Sequence, residues 1–414
     1  MGYHFVKFGS HIVRFSLGGI PVVGNTATGG LVGLTFAGAN LCDALLVREV
    51  SPDEITDECA ELVTYLESQG AFDELEERLV LQSAYLHVTN TCNLSCVGCY
   101  SADANRNRAC DPSLSDLEHA LDMLAELGVK HLVISGGEPF VRQDLADIAR
   151  HAKTCGMGEV VVLTNGTLCT KENLAQLAGL ADIVSISFDG ASPDGPAYIR
   201  EHQLFDRLIH AVAMVKEAGI HAHILPTLHA KNIHDVPVYL EVAEQLGATV
   251  GFSLLSGSSA ELGDLMPCDA CLCELADRMF SLGQEASVVS IDDEFDLRRA
   301  LRVRRACGAG KTNVSVAANG NVYPCHMLHK PELLLGNAFA DDATTLAKHI
   351  KQFSMPAVDE IAGCSSCEHR YLCGGGCRAR SYDENGEIGR RDPYCVFYRR
   401  SLDKTVEAFV SQVS

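Results

Sequence analysis

Short apolar runs alternate with amphipathic stretches through the middle of the chain, from residue 83 to about residue 290. Short apolar runs bounded by turn signals indicate buried strands, and the stretches between them have helical periodicity. Strands that alternate with helices predict an α/β fold, in which right-handed crossovers build a parallel sheet. We therefore predict a partial (β/α)6 barrel with its chemistry on the loops that follow the strands. The predicted strands are Tyr85–Thr89, His131–Ser135, Val160–Thr164, Ile183–Phe188, His221–Leu228 and Val250–Leu255.

Before residue 83 the pattern is different. Two strand-like runs come first, and helical stretches follow, one of which opens at Ser51-Pro52-Asp53-Glu54 with a cap residue, a first-turn proline and two acids. Strands followed by three short helices predict a small winged-helix-like module over residues 1–82. The predicted strands are Tyr3–Phe8 and His11–Leu17, and the other two helices lie near residues 37–47 and 58–68.

The strand–helix alternation ends at about residue 290. Residues 307–395 are rich in turns and cysteines, which is typical of a segment held together by metal rather than by a large core. We predict three domains: the winged-helix-like module at 1–82, the barrel at 83–290 and a small cysteine-rich domain at 291–414.

The composition narrows the class of protein. The chain has 414 residues, of which 47% are apolar, enough for more than one buried core. Its formal net charge of −21 opposes binding to phosphate backbones, so we expect no nucleic-acid partner. No stretch approaches the roughly 18 uninterrupted apolar residues of a membrane helix, and no signal-peptide pattern follows Met1. We therefore expect a cytoplasmic protein with no membrane partner.

The chain also contains 18 cysteines. Because the cytosol keeps thiols reduced, we interpret them as metal ligands, nucleophiles or small buried side chains rather than as disulfides. Their clustering favours metal ligands. Five cysteines outside the clusters are expected to be structural: Cys42, Cys59, Cys110, Cys155 and Cys169.

The first cluster follows the first predicted strand, where one loop carries Cys92, Cys96 and Cys99. Three thiolates at spacings of four and three can converge on one cuboidal iron–sulfur cluster. Three ligands for four irons leave one iron open to a substrate or a cofactor. A zinc site is the alternative, but zinc usually requires a second pair of ligands nearby, and none follows within ten residues.

The next predicted strand is followed by Gly136-Gly137-Glu138-Pro139. Together with the cysteine loop, this sequence resembles the radical S-adenosylmethionine (SAM) superfamily. The resemblance implies that the three cysteines hold a [4Fe-4S] cluster, that SAM chelates the open iron, and that the glycine-rich loop holds the SAM amino group. One position departs from the family pattern: Gly98 stands where an aromatic residue is usual, and we expect Tyr100 to cover the cluster instead.

Two further loops fit the resemblance. Thr164 and Asn165 end the third predicted strand, and Ser187 and Asp189 end the fourth. In the family, such loops contact the ribose and methionine parts of SAM, although Asn-Gly and Asp-Gly sequences are also ordinary turns. Arg200 is expected to meet the SAM carboxylate, with a solvated arginine at a helix start as the alternative.

Seven cysteines over residues 307–395 resemble the SPASM domain that follows some radical SAM barrels. The resemblance implies two auxiliary [4Fe-4S] clusters, and so three clusters in all. Auxiliary cluster I takes Cys307, Cys325 and Cys377. Auxiliary cluster II takes Cys364, Cys367, Cys373 and Cys395. Zinc bound by the Cys364–Cys367 pair is the alternative.

Auxiliary cluster I lacks a fourth ligand in this assignment. Cys268, Cys271 or Cys273 could supply it by looping in. A substrate thiolate could bind instead, or the iron could stay open. The same three cysteines could equally be buried or free thiols.

The resemblance also implies the chemistry. One electron from a donor such as flavodoxin or ferredoxin reduces the first cluster, and SAM is cleaved to methionine and a 5′-deoxyadenosyl radical. The radical then takes a hydrogen atom from the substrate, and the auxiliary clusters carry away an electron or bind a substrate sulfur. Because the cofactor performs the difficult step, no catalytic acid–base side chain is predicted.

Residues 1–82 bear on the substrate. Gly38-Ala39-Asn40 at the first helix and Leu66–Gly70 at the last resemble a PqqD-like recognition element, which binds a leader peptide as an added strand. We predict an enzyme that matures a ribosomally made precursor peptide of the sactipeptide or ranthipeptide type by forming Cys thioether crosslinks. The alternatives are radical modification of a protein or a tetrapyrrole, and a non-catalytic cluster carrier or peptide-binding scaffold.

Overall fold

The computed structural model of the chain describes residues 5–74, 79–200, 204–285 and 301–413. It begins with a three-stranded antiparallel sheet, in which β2 is central and β3 is an edge strand. Two helices and a 3-10 turn follow, and the turn lies where the sequence predicted the second of three helices. These elements are β1 (Ile12–Leu17), β2 (Ile20–Asn25), β3 (Leu31–Gly33), α1 (Phe36–Val47), the turn at Pro52–Glu54 and α2 (Asp57–Ser68).

The β1–β2 hairpin corrects the sequence prediction. Gly18 and Gly19 form its turn with φ values of 55° and 85°, a region that glycine adopts without strain. The sequence indicated a break at these glycines but no strand after them, because Pro21 and Gly24 interrupt the apolar pattern of β2.

The predicted strand Tyr3–Phe8 is wrong for its described residues. Val6 makes a single antiparallel bridge to Val50, and no longer strand forms around it in the described part of this segment. Tyr3 and His4 lie outside the described residues. The apolar side chain of Phe8 is buried against the N-terminal helices instead, which explains the strand-like pattern.

The middle of the chain forms a parallel sheet flanked by helices, as the sequence predicted. Its strands run in the order β10-β8-β7-β6-β5-β4, and β9 pairs with β8 in the same register as β10. The strands are β4 (Ser83–His87), β5 (His131–Ser135), β6 (Glu159–Thr164), β7 (Ile183–Phe188), β8 (His221–Leu228), β9 (Thr249–Val250) and β10 (Ser253–Leu254). The helices are α3 (Leu114–Glu126), α4 (Leu145–Thr154), α5 (Lys171–Leu177), α6 (Phe205–Glu217), α7 (Val236–Leu246), α8 (Ser259–Leu262) and α9 (Asp269–Glu285).

The sheet continues into the cysteine-rich part of the chain. β11 pairs in parallel with β4, and two antiparallel strands extend the edge. The elements are β11 (Asn313–Val316), β12 (Asn321–Tyr323), β13 (Gly336–Asn337), α10 (Ala343–Gln352), α11 (Arg370–Cys373), α12 (Arg378–Asn385) and α13 (Cys395–Val413). The predicted domain boundary at residue 290 lies outside the described residues. Within the described ranges, every helix is too short or too polar to cross a bilayer.

The N-terminal sheet is buried on both faces. Side chains alternate along a strand, so Ile12 packs against α1 and α2, whereas Val13 and Phe15 face the cysteine-rich part. There the Phe15 ring meets the Tyr371 ring edge-on, at 5.5 Å between centroids, in an apolar cluster that also contains Cys364. The N-terminal module is therefore packed directly onto the segment that carries the predicted ligands of auxiliary cluster II.

Candidate active site

A cavity of about 430 Å³ opens at the carboxyl ends of the parallel strands. Three cysteines of the loop after β4 lie on its wall: Cys92, Cys96 and Cys99. The loops after β5, β6 and β7 bring other predicted SAM contacts to the same wall. These are Gly136, Gly137, Thr164, Asn165, Ser187 and Arg200. The carboxyl ends of parallel strands meet at one edge of a sheet, which is why residues distant in sequence share this cavity.

The cysteine loop is held by backbone hydrogen bonds. The Cys92 amide donates to Oδ1 of Asn107 at 2.7 Å, and the Val97 amide donates to the Ile199 carbonyl at 2.9 Å. Burial raises the pKa of the Cys96 thiol, an effect that the nearby Arg200 opposes. A metal ion displaces the proton of a thiol when it binds, so a raised pKa of the free thiol is compatible with a cluster ligand.

The structure accounts for Gly98 in place of an aromatic residue. Its φ is 66°, and an added Cβ would lie 3.0 Å from side-chain carbons of Leu255 and Leu262. No side chain fits there without displacing the apolar cluster beneath. Tyr100 lines the same cavity, with its hydroxyl 2.8 Å from the Ser135 hydroxyl. Its role as the cover of a cluster stays a prediction.

The glycine-rich loop lies against the cysteine loop. The Gly137 amide donates to the Thr89 carbonyl at 2.7 Å, and the Glu138 amide donates to the Thr91 carbonyl at 2.9 Å. A Cβ at Gly136 would clash with the Thr89 carbonyl, and one at Gly137 with the Thr91 carbonyl. Both glycines are therefore required for the close approach of the two loops.

The acidic residues of these loops support the site from behind. Glu138 is fully buried, and its carboxylate accepts from the Phe140 amide at 3.1 Å, the Thr164 hydroxyl at 2.7 Å and the Asn165 amide at 2.8 Å. Burial raises the pKa of Glu138, and these three hydrogen bonds oppose that shift. Glu138 thus ties the loop after β5 to the loop after β6 and does not line the cavity, and Pro139 is buried beside it.

Asp189 has the same supporting position after β7. Its buried carboxylate accepts from the amides of Ile199 at 2.8 Å and Arg200 at 2.6 Å. This contact places the Arg200 side chain on the cavity wall, where one terminal nitrogen donates to the Phe188 carbonyl at 3.0 Å. The buried Nε of Arg200 makes no hydrogen bond, so the guanidinium can still bind an anion.

Sequence reasoning missed much of the wall, including five large or polar side chains: Tyr85, Arg106, His326, Met327 and Arg380. The Arg106 guanidinium lies 4.0 Å from Cys99 Sγ and donates to the Ser101 carbonyl at 2.6 Å. The His326 ring stacks on Tyr85, at 3.9 Å between centroids, and its Nδ1 lies 3.8 Å from Cys325 Sγ. The signal available for His326 was its position directly after a predicted cluster ligand.

A second cavity, of about 380 Å³, lies in the cysteine-rich part of the chain. All four cysteines predicted to bind auxiliary cluster II line it: Cys364, Cys367, Cys373 and Cys395. Burial raises the pKa of the Cys373 thiol to about 12, and Cys395 acts on it in the same direction. The Arg391 side chain borders the cavity and bonds to the Cys395 thiol, which raises the pKa of Arg391.

The remaining predicted ligands form a third group. Burial raises the pKa of the Cys325 thiol, and the neighbouring thiols of Cys377 and Cys307 raise it further. Cys268 and Cys271 instead contact each other, with their sulfur atoms 2.7 Å apart.

The tightest candidate sites for a single metal ion lie elsewhere. Among the described residues, two sets of three side chains place their ligand atoms within 4.8 Å of one another: Asp122, His151 and Cys155, and Glu368, His369 and Asp403. None of the ten predicted cluster cysteines belongs to either set. Cysteines spread more widely around a cavity fit a multi-iron cluster better than one zinc ion.

The cysteines expected to be structural are not alike. Cys42, Cys59 and Cys169 are buried apolar side chains, in agreement with the prediction. Cys155 is half-buried and donates to Asp122 at 3.2 Å. Cys110 is exposed on the segment between β4 and α3, so the prediction is wrong for this residue because its thiol packs into no core.

Comparison with known proteins gives matches to a family model and to several relatives. Residues 86–243 match the family model described as the radical SAM superfamily. The AdoMet-dependent heme synthase of Methanosarcina barkeri is 28% identical over 335 residues, which cover 75% of this chain and 95% of that protein. The mycofactocin maturase MftC of Mycolicibacterium smegmatis is 30% identical over 321 residues, which cover 75% of this chain and 81% of the maturase.

Two solved structures share the fold. Streptococcus suis SuiB bound to its precursor peptide SuiA is 15% identical, with a TM-score of 0.61, over 94% of this chain and 99% of SuiB. The structure of anSMEcpe with bound AdoMet and the Kp18Cys peptide is 17% identical, with a TM-score of 0.66, over 80% of this chain and 98% of that protein. At these identities the likeness concerns the fold alone.

Proposed function

The chain belongs to the radical SAM superfamily, and on that premise we propose that it matures a ribosomally made precursor peptide. Proteins of this family bind a [4Fe-4S] cluster and SAM, and the bound pair supplies a 5′-deoxyadenosyl radical that removes a hydrogen atom from the substrate. The observation that carries the proposal is the main cavity, where three thiols and four strand-end loops converge. We assign the cluster to Cys92, Cys96 and Cys99.

The cavity wall suits the anionic groups of the cofactors. Among the described residues of the wall, the charged side chains are those of Arg106, Arg200 and Arg380. Arg380 is neutralised by Asp392 at 3.2 Å, with both side chains about 2% exposed. We assign Arg200 to the SAM carboxylate because its Nε is buried without a partner. We assign contacts with the rest of SAM to Gly136, Gly137, Thr164, Asn165 and Ser187. Glu138, Pro139 and Asp189 act behind them as positioning residues.

Two auxiliary clusters complete the proposed cofactor set. The second cavity holds the four thiols that we assign to auxiliary cluster II, and its glycine-rich wall leaves room for an inorganic core. The electrostatic effect of the Cys377 and Cys307 thiols on Cys325 indicates that the three thiols lie near one another and supports their assignment to auxiliary cluster I. Three thiols for four irons would leave one iron open, which favours a substrate thiolate and hence thioether formation between a peptide cysteine and a carbon atom.

A peptide substrate is supported by the relatives and by the N-terminal module. MftC is named a maturase, and SuiB was solved with a precursor peptide. The N-terminal module supplies a docking edge, since β3 pairs only with β2 among the described residues. The Asn25 amide donates to the Gly30 carbonyl and the Leu34 amide donates to the Pro21 carbonyl. In an antiparallel ladder, this alternation turns the backbone groups of Leu31 and Gly33 outwards.

Replacing Leu31 with proline tests this edge. The substitution removes one outward amide, and an edge position tolerates it because that amide bonds to no strand in the described ranges. We expect weaker binding of the leader peptide, measured by fluorescence anisotropy, with SAM cleavage unchanged. Leu31→Ala keeps the amide and serves as the control. Equal affinity for all three proteins would contradict strand addition at β3. A point variant is preferable to deletion, because deletion would expose the apolar face packed on Cys364.

The modification itself is tested by intact mass. A cysteine-bearing peptide encoded beside this gene is coexpressed with the enzyme without oxygen, and its mass is measured before and after thiol alkylation. Loss of two hydrogen atoms per bond with loss of alkylatable thiols would establish thioethers. Loss of hydrogen with free thiols would indicate carbon–carbon bonds or dehydrogenation. An unchanged mass would count against a peptide substrate.

Tetrapyrrole modification is the second candidate. It is favoured by the similarity to the heme synthase, 95% of whose length is covered. Absorption spectra of an anaerobic mixture of the enzyme, SAM, a reductant and an iron porphyrin distinguish the two. A SAM-dependent spectral change together with an unchanged peptide mass would select this candidate.

A further inference from the structure

We propose that Cys268 and Cys271 form a redox-active dithiol that exchanges with low-molecular-weight disulfides. The two residues stand at the start of α9, and their sulfur atoms lie 2.7 Å apart. Neither belongs to the ten cysteines assigned to clusters, and the chemistry of the pair requires neither a cluster nor SAM.

The geometry follows from helix capping. Cys268 immediately precedes α9, and its carbonyl accepts the first helical hydrogen bond, from the Leu272 amide at 2.9 Å. Its sulfur accepts from the Cys271 amide at 3.3 Å, as a serine or aspartate side chain does at a helix N-cap. Capping brings the side chains of the cap and the third helical residue together. Cysteines at these two positions are therefore held in contact by the helix itself.

The two thiols have different surroundings. The Cys271 thiol and then the Cys271 amide lower the pKa of Cys268, whereas the hydrogen bond to Cys268 raises the pKa of Cys271. The Cys268 side chain is exposed, and Cys271 is half-buried against the main core. An exposed sulfur at the positive end of a 17-residue helix favours the thiolate form. Cys268 is thus the attacking thiol, and Cys271 is the resolving thiol.

Cys273 does not belong to this pair. Residues two apart on a helix do not face each other. The Cys273 thiol instead acts on Arg400, which lies on α13. The pair therefore consists of the N-cap residue Cys268 and of Cys271 in the first turn of α9. It is a dithiol and not a three-cysteine metal site.

The exchange has two balanced steps. The Cys268 thiolate attacks one sulfur of an external disulfide, so that a mixed disulfide forms and one external thiolate leaves. The Cys271 thiol then loses its proton and attacks Cys268, which forms the internal disulfide and releases the second thiolate. The external disulfide is reduced by two electrons, and the protein pair is oxidised by two. Transient disulfides of this kind are the form in which cytosolic disulfides usually occur.

The test uses the holoenzyme, purified without oxygen, in glutathione buffers with stepped ratios of disulfide to thiol. After alkylation, fragment-resolved mass spectrometry measures the state of Cys268, Cys271 and the exposed Cys110. We expect Cys268 and Cys271 to lose their alkylatable thiols together, as one internal disulfide, at ratios where Cys110 remains alkylatable. Oxidation of the pair only when Cys110 also reacts, or no oxidation at any ratio, would overturn the proposal.

Two variants assign the roles of the thiols. In Cys271→Ser, one glutathione should be trapped on Cys268 because the resolving thiol is missing. In Cys268→Ser, Cys271 should remain alkylatable, and the iron content should equal that of the unmodified enzyme. Loss of iron in Cys268→Ser would identify the pair as cluster ligands and sink the dithiol proposal. The titration of the unmodified enzyme decides the question alone if either variant fails to fold.

Discussion

At the residue scale, each thiol of the main cavity depends on particular neighbours. Cys99 lies 3.5 Å from the Ser101 hydroxyl, and Arg106 reaches both of these residues. Cys96 is shielded by the apolar cluster that contains Leu255 and Leu262. The three thiols of the loop therefore lie in different environments. Loss of one thiol should affect the cluster directly, and this effect can be distinguished from a general loss of stability.

Replacing Cys99 with alanine should abolish SAM cleavage. Two thiolates do not hold a cluster with an open iron, so about four irons per chain should be lost as well. Production of 5′-deoxyadenosine and the iron content measure the two effects. Cys110→Ala, at an exposed thiol, is the matched control and should change neither value. Normal cleavage by the Cys99 variant would contradict the assignment of the cluster.

Replacing Arg106 with glutamine should lower the reduction potential of the first cluster. A cation near the Cys99 sulfur stabilises the reduced, more negative cluster, and glutamine removes that charge. A redox titration followed by electron paramagnetic resonance measures the potential. Arg106→Lys keeps the charge and should preserve most of it. An unchanged potential in the glutamine variant would show that Arg106 acts only on the loop conformation.

At the element scale, hydrogen bonds made by the loops that follow the strands hold the site together. Glu138 joins the loop after β5 to the loop after β6, and Asp189 orders the segment that ends at Arg200. The Tyr394 hydroxyl on the segment before α13 donates to the Leu255 carbonyl at 2.7 Å. The contacts of Glu138 and Tyr394 cross between elements, and the contacts of Asp189 lie within the loop after β7, so the cavity depends on hydrogen bonds both between loops and within one.

Replacing Glu138 with glutamine should lower the free energy of unfolding of the barrel by about 1–3 kcal/mol, because the buried side-chain nitrogen of glutamine would then face another hydrogen-bond donor. Three donors converge on this carboxylate, and glutamine can accept at only one of its two terminal atoms. Thermal unfolding of the holoenzyme should therefore shift to a lower temperature. Glu126→Gln, at the exposed end of α3, is the control and should leave the midpoint unchanged. An unshifted midpoint for Glu138→Gln would mean that the site relaxes around the amide.

At the scale of the whole molecule, the N-terminal module, the barrel and the cysteine-rich part pack against one another. The parallel pairing of β11 with β4 extends the barrel sheet into the cysteine-rich part, and the N-terminal sheet packs on that part through Val13 and Phe15. The proposed leader-binding edge and the proposed auxiliary cluster II therefore lie on neighbouring parts of the molecule. Removal of the cluster proposed for the second cavity should weaken this interface, because Cys364 belongs to its apolar cluster.

The stability of the molecule should fall in mild acid. Burial lowers the pKa of His223 and of His329 to about 4, whereas an unfolded histidine titrates near 6.5. Between these values the unfolded chain binds more protons than the folded chain, so stability is complete above pH 6.5 and declines towards pH 4. Denaturation midpoints at stepped pH measure this slope. His223→Asn should flatten it, whereas the exposed His210→Asn should not. An equal slope in all three proteins would exclude His223 as a source.

The sequence by itself determined the parts that depend on local pattern. Short apolar runs between helical stretches predicted the parallel strands, three of them with their observed bounds: His131–Ser135, Ile183–Phe188 and His221–Leu228. The cysteine spacings and the glycine-rich loop identified the family, because ligand spacing and backbone approach are short-range properties. The sequence did not determine β2, whose apolar pattern is broken by Pro21 and Gly24 and which exists because β1 pairs with it.

Only the tertiary structure decided which predicted residues face the cavity. Glu138 and Asp189 lie in the same motifs as Gly137 and Ser187, yet their carboxylates turn inwards, because buried amides need acceptors more than the cavity wall does. Arg106 and His326 reach the wall through loops whose course no local pattern fixes. The contact between Cys268 and Cys271 likewise required knowledge of where α9 begins, since capping geometry, not spacing alone, brings two sulfurs together.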